Sequence, residues 1–261
     1  MKLTCYLNPR KSNAERMLRA VHDGAIKAGH DCAIETVRPG LHVRTDRLAV
    51  FYGVDEVTFP LWRETNANCV HYFYVDNGYF KSKWKGGDFY RITKDRIQHQ
   101  GIGNSFGARW EELGIEMHPG RTPRVDAPVM LALQSDWWYR RFGTTKEAWI
   151  AWAVDQMQPI LAGRRILIRD KSEHSKPINW QDVHAVVAHS SNVLVDGLIE
   201  GVPVFAVYGD CAARHLSGTF PRVDMLRRPS VDERLRWARV LADNQWVVDE
   251  IEAGVPWEKL A

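Results

Sequence analysis

The sequence predicts an α/β protein built from two Rossmann-like halves with a C-terminal helical tail. Three observations lead there. Short apolar runs alternate with amphipathic stretches along most of the chain. A polar, proline-bearing passage at residues 118–128, HPGRTPRVDAP, interrupts that alternation. Residues 185–208, AVVAHSSNVLVDGLIEGVPVFAVY, spell one strand, helix, strand unit. The expected boundaries are 1–125, 126–230 and 231–261.

In the first half, residues 3–7 read as a strand. Ser12 with Glu15 three residues on forms a capping-box pattern, and a helix follows until Gly29. Residues 32–37 and 48–52 are further strands, and a short helix follows Pro60. The run 70–75, VHYFYV, has the aromatic and β-branched density of a buried strand. It ends at Asp76, Asn77 and Gly78, which delivers a carboxylate to the carboxyl end of a strand, the edge where open α/β sheets bind ligands.

Residues 79–103 interleave basic and aromatic side chains: Lys81, Lys83, Trp84, Lys85, Tyr90 and Arg91 among them. Residues 89–98 read as a hairpin. Basic charge beside aromatic faces suits phosphates and stacked bases, although an exposed, decorated hairpin has the same composition.

Beyond the proline-bearing passage, residues 129–133 form a strand, 134–136 a polar turn, 145–161 a helix and 165–168 another strand. The 185–208 unit follows. Its apolar run stops at His189, Ser190 and Ser191, Val193, Leu194, Gly197 and Leu198 recur at helical spacing, and Gly201 ends the helix. A helix start leaves backbone N–H groups unpaired and carries partial positive charge, so hydroxyls there suit a phosphate or carboxylate. The plainer reading makes Ser190 or Ser191 a cap. The tail is helical and rich in tryptophan, and is expected to pack back across the domains.

Composition narrows the class. The 261 residues are enough to bury roughly 70 to 75 per cent of the unfolded surface. A net charge of +3 allows an acidic partner without demanding one. The four cysteines form no CxxC pair, so neither a zinc site nor a disulfide framework is indicated. No GxGxxG fingerprint and no Walker loop occurs. No apolar run approaches the ~18 residues of a membrane span and no signal sequence opens the chain, so the expected location is the cytoplasm.

The order of motifs resembles the capsular polysaccharide biosynthesis glycosyltransferases, the bacterial Kdo-transferase-like group. Residues 75–82, VDNGYFKS, are similar to that group's acidic-Gly-aromatic-basic-Ser motif, and 89–98 to the strand pair after it. Residues 130–143, MLALQSDWWYRRFG, are similar to the opening of the second domain, and 183–208 to the unit that holds the sugar nucleotide. Two departures stand out. The group commonly has two adjacent acids before the glycine, where this chain has Asp76 and Asn77. Its Lys-Pro-His-Pro signature is here Arg169, Asp170, Lys171 and Ser172, with His174 displaced. The tail, with Asn244 to Trp246 and Gly254 to Trp257, is similar to proteins carried by bacteriophages, which would make the expected location the host cytoplasm if the chain is phage-encoded.

The resemblance implies a compact GT-B glycosyltransferase with a nucleotide-sugar as donor substrate and no separate cofactor. Glycosyl transfer passes through an oxocarbenium-like state, so a carboxylate must activate the acceptor or form a covalent intermediate. Asp76 takes that role. The departing phosphate gains charge, which Arg169, Lys171, Ser190 and Ser191 would meet, with Asn192 orienting the donor and His189 bonding its phosphate or ribose. No DxD pair stands in a suitable loop, so no metal is required. Lys81, Lys83, Trp84, Lys85 and Arg91 would bind the acceptor, with double-stranded DNA carrying a hydroxylated base as the leading candidate. A cell-surface polysaccharide or glycolipid acceptor, and a non-catalytic nucleotide- or DNA-binding protein, remain open, as do the donor sugar and the oligomeric state. Asp76 could also merely cap a turn, and Arg169 and Lys171 could line a solvated edge.

Overall fold

The computed structural model describes residues 1–81, 87–173, 176–218, 220 and 226–260. The chain is α/β with two parallel-sheet cores, one in each of two compact units: Met1–Ile97 with Asn244–Ala261, and Gln98–Asp243. The division falls at Ile97 rather than near residue 125. The proline-bearing passage lies inside the second unit, where the His118 N–H donates to the Ile199 carbonyl.

In the first unit β1 (Lys2–Leu7) pairs in parallel with β2 (Asp31–Thr36) and β3 (Leu48–Tyr52), and β3 pairs in parallel with β4 (Tyr72–Asn77). β5 (Phe89–Lys94) returns antiparallel to β4, and β10 (Gln245–Val247) adds antiparallel to β5. The strand order is β10-β5-β4-β3-β1-β2. The predicted hairpin at 89–98 is therefore one strand whose antiparallel partner precedes it. α1 (Ser12–Lys27) turns Ala14, Met17, Leu18, Val21 and Ala25 inward at helical spacing, onto Leu3, Cys5 and Val50 of the sheet. The Ser12 capping box does not form: Lys11 occupies the cap position, with no side-chain cap bond. α2 (Phe59–Ala67) carries Pro60 in its first turn, where a missing N–H does no harm.

The second unit repeats the strand order of the first unit's parallel part. β6 (Val129–Ala132), β7 (Ile166–Arg169), β8 (Ala185–Ala188) and β9 (Val204–Ala206) run parallel in the order β7-β6-β8-β9. β6 and β8 are buried throughout, as their unbroken apolar sequences require. α3 (Ala108–Leu113), α4 (Asp136–Arg141), α5 (Lys146–Leu161), α6 (Val193–Ile199) and α7 (Val231–Ala242) complete the unit. α5 begins as read from sequence, with the Thr145 hydroxyl accepting the Ala148 N–H at 3.1 Å. Arg234 of α7 is 2% exposed and donates to the Leu198 carbonyl at 2.7 Å, adding a side-chain donor at the end of α6.

The tail is not one helical block. It divides at Asp243: α7 belongs to the second unit, while β10, α8 (Val248–Ala253) and α9 (Trp257–Leu260) belong to the first. Buried Gln245 explains the strand, because its side-chain oxygen accepts the Phe80 N–H at 3.0 Å and braces the backbone just after β4. No helix among the described residues is long and apolar enough to cross a membrane.

Candidate functional site

In the first unit the strands β1, β3 and β4 run the same way, so their carboxyl ends share one edge. β1 is where the order reverses, with β2 on one side and β3 on the other, which makes this edge a switch point. A cleft of about 340 Å³ opens there. The β1–α1 turn contributes Arg10, Lys11, Ser12 and Asn13, and the ends of β3 and β4 contribute Tyr52, Gly53, Asp76 and Asn77.

Asp76 is held from both sides. Opposite it in the antiparallel register lies Arg91, whose Nη2 donates to Asp76 Oδ2 at 2.7 Å. The Asn77 N–H and side-chain amide donate to Oδ1 at 2.8 and 3.3 Å. Arg91 also donates from Nη1 to the Asn77 carbonyl at 2.5 Å and lies 5.1 Å from the Tyr79 ring centroid. The Asp76 side chain is 30% exposed and that of Arg91 3%. One group is thus open to the cleft and the other is its buried brace. Arg91 does not face an acceptor, because its guanidinium is committed to fixing Asp76. This corrects the expectation from sequence.

The remaining lining is polar. Lys11 Nζ lies 2.6 Å from Asp55 Oδ2, which also accepts the Asn8 amide at 2.7 Å. Burial pushes the Asp55 carboxyl up, but Lys11 and the Thr58 N–H outweigh it and hold it below the usual range. Burial, and then the charge of Asp76, push the Tyr52 hydroxyl upward, so it stays protonated and can donate.

In the second unit β6 is followed at its carboxyl end by Leu133 and Gln134, and β8 by His189 and Ser190. The Trp138 indole N–H donates to His189 Nδ1 at 3.1 Å. An indole nitrogen can only donate, so Nδ1 accepts and the neutral ring carries its proton on Nε2. The imidazole stacks on Tyr208 with centroids 5.1 Å apart and meets Phe142 at 5.0 Å. Burial, followed by the charge of Arg141, pushes His189 down to about 4. It is a neutral hydrogen-bonding group at ordinary pH.

Ser190 is buried, its hydroxyl 3.3 Å from His189 Nδ1 and 3.5 Å from the Gln134 amide, and its carbonyl accepts from Gln98 at 3.0 Å. Ser191 and Asn192 are half-buried at the start of α6. Asn192 occupies the cap position without a side-chain bond, while the Ser191 hydroxyl, one residue earlier, accepts the Val193 N–H at 3.4 Å at the start of the helix. Arg169 donates to the carbonyls of Glu173 at 2.8 Å and Lys176 at 2.5 Å, so its guanidinium is engaged by backbone beyond the end of β7. Lys171 is exposed on that turn.

Sequence reasoning missed Lys146. Its ammonium bridges Asp136 at 2.7 Å and Asp170 at 3.0 Å, joining the starts of α4 and α5 to the end of β7. The Ser172 N–H, then Lys146, hold Asp170 down to about 2. Lys81 is exposed beside the β4–β5 connection. Lys83, Trp84, Lys85 and His174 lie outside the described residues, as does Ser82 of the VDNGYFKS motif.

Among known proteins, no family model matches the chain, and no curated protein matches it. The chain is similar to two solved structures from Thermosulfurimonas dismutans. The KpsC β-Kdo 2,4-transferase is 12% identical, with 91% of this chain and 90% of that chain covered and a TM-score of 0.48. The KpsC β-Kdo 2,7-transferase is 12% identical, with 99% and 100% covered and a TM-score of 0.47.

Proposed function

We propose that the protein is a glycosyltransferase that moves a sugar from a nucleotide-activated donor to a hydroxyl acceptor, with Asp76 as the carboxylate that does the chemistry. One observation carries the reading: a carboxylate braced by a buried arginine stands at the carboxyl edge of a parallel sheet, in an open cleft at the switch point. A residue that merely ended a turn would not need that brace. The likeness of 75–82 and 183–208 to the capsule-type transferases supports the same assignment. Asp76 either activates the acceptor hydroxyl or attacks the anomeric carbon, and its charge stabilises the oxocarbenium-like state in both cases. The donor is assigned to the second unit, with half-buried Ser191 and Asn192 at the start of α6, exposed Lys171, and buried His189 and Ser190 after β8 as its candidate contacts.

The acceptor is a hydroxyl on a modified base of phage DNA or on a saccharide. With Arg91 committed to Asp76, a DNA acceptor depends on Lys81 and the basic residues after it. Salt separates the two. DNA binding weakens steeply as salt rises, whereas binding of an uncharged saccharide scarcely responds.

Asp76→Asn tests the central assignment. Nucleotide release from the donor should fall at least about a hundred-fold while donor binding persists, as expected when a group acts on the transition state alone. A wild-type protein that binds nucleotide and releases no sugar from any donor would instead make it a binding protein, a reading that the single acid in Asp76–Asn77 favours.

A further inference from the structure

A strand at the margin of a sheet leaves half of its peptide groups unpaired, and proteins bury, charge or cover such edges to keep other chains from pairing there. The margins β2, β10 and β9 follow that rule. β2 carries Asp31 and Glu35. In β10, Gln245 and Trp246 are buried. β9 is covered by the segment after it: the Gly218 N–H donates to the Val204 carbonyl at 2.9 Å, the Ala206 N–H to the Ser217 hydroxyl at 2.8 Å, and Arg214 to the Ala206 carbonyl at 2.8 Å.

β7 does not follow it. The strand Ile166–Arg169 lies at the margin of the second sheet, with β6 on one side. The Val129 and Leu133 N–H groups donate to the Arg165 and Arg169 carbonyls, so the odd-numbered residues bond to β6 and the peptide groups of Ile166 and Ile168 face away from it. No described residue hydrogen-bonds those groups. The side chains beside them are apolar and open, with Leu167 40% exposed and Ile168 46%.

We propose that β7 is a dimer interface: it pairs antiparallel with β7 of a second copy about a twofold axis at Leu167, which joins the two four-stranded sheets into one. The strand's own sequence selects a second copy. Ile166-Leu167-Ile168 is the same pattern of branched apolar residues in both directions, so this register sets Ile166 against the partner's Ile168 twice and completes about four backbone hydrogen bonds. Leu167 meets its counterpart at the closer, non-hydrogen-bonded spacing, which favours apolar contact. Further along the outward row, Arg164 stands opposite the partner's Asp170, an opposite-charge pair that symmetry makes twice. Arg165 faces the partner's Arg169, a like-charge pair, but Arg169 is drawn away by its bonds to the Glu173 and Lys176 carbonyls. Both free edges are consumed, so assembly stops at two copies.

The test is sedimentation velocity of the whole protein from about 1 to 200 µM, because a four-residue edge is a small interface and implies a reversible, micromolar dimer. Leu167→Lys sets two ammonium groups face to face and should weaken the dimer at least about ten-fold. Ile168→Pro removes an N–H that β6 does not use and should do the same. Neither residue belongs to the apolar cluster under the sheet, so both variants should keep the wild-type urea midpoint when measured as monomers. If Ile168→Pro does not, Leu167→Lys decides alone. Leu167→Cys reads the register: treated with diamide, it should become a disulfide-linked dimer faster than wild type, because residues at that spacing are within disulfide reach. A wild-type protein still monomeric at about 200 µM, a dimer that Leu167→Lys leaves intact, growth beyond two copies, or no faster linking of Leu167→Cys overturns the proposal.

Discussion

At the scale of single residues the account turns on how Asp76 is held. Arg91 bonds the carboxylate and the next carbonyl from a buried position. Arg91→Ala removes both donors, but Asp76 is partly open to water and can be rehydrated, so the expected loss is about 1–3 kcal/mol rather than the larger penalty of a stranded buried ion. Urea unfolding measures it, and a loss near zero would mean that the pair does not fix Asp76. The carboxylate itself was legible in sequence because it follows a dense β-branched and aromatic run. Its brace was not, since Arg91 reaches Asp76 only through the β4–β5 register, which no local pattern encodes.

His189 gives a pH prediction. Burial and Arg141 put its folded-state value at about 4, below the ordinary 6.5, so the unfolded chain takes up the proton first. The contribution of the neutral ring is therefore whole above pH 6.5 and is lost as pH falls toward 4, on the order of 3 kcal/mol at most. Asp170, held at about 2, changes only below that window. The urea midpoint of wild type should drop more between about pH 7 and pH 4.5 than that of His189→Phe. Parallel drops would show that the ring is not held neutral.

At the scale of elements, the β8–α6–β9 unit was read almost to the residue because an unbroken apolar run, a helical repeat and a glycine stop agree with one another. α4 escaped notice because six residues carrying Trp137, Trp138 and Tyr139 look like packing rather than helix. β10 was lost inside a helical tail because three residues are too few to show a period. Its Gln245 nevertheless supports the backbone after Asp76, which ties the tail to the candidate site.

α8 packs on α1 through Gly24, where a Cβ would stand 1.9 Å from the Ile251 carbonyl oxygen. Gly24→Ala gains up to about 1 kcal/mol of helix propensity. It must also push backbone apart, at a cost of about 1–3 kcal/mol. The clash wins, so the variant should unfold at lower urea than wild type. A stabilised Gly24→Ala protein would show that α8 does not pack closely on α1.

At the scale of the whole molecule, both units order their parallel strands alike, with one at the reversal and its neighbours on either side. The alternation of strand and helix made that class legible, but the boundary was misplaced. Prolines and polar residues at 118–128 look like a linker in sequence, yet this passage packs on the end of α6, where Gly201 at φ +75 allows the Pro119 carbonyl to come close. The division instead follows strand pairing, which draws residues 244–260 back to the first sheet.

The most direct measurement is thermal unfolding of the protein against CMP, UDP, GDP, ADP and dTDP and their sugar conjugates. A ligand at about 100 times its Kd adds roughly 2.7 kcal/mol, enough to raise the midpoint of a chain this size by several degrees. The account predicts that one nucleotide series stabilises the protein and that the shift survives Asp76→Asn. If no nucleotide or nucleotide sugar moves the midpoint at millimolar concentration, there is no donor for Asp76 to act on, and the glycosyltransferase reading is contradicted.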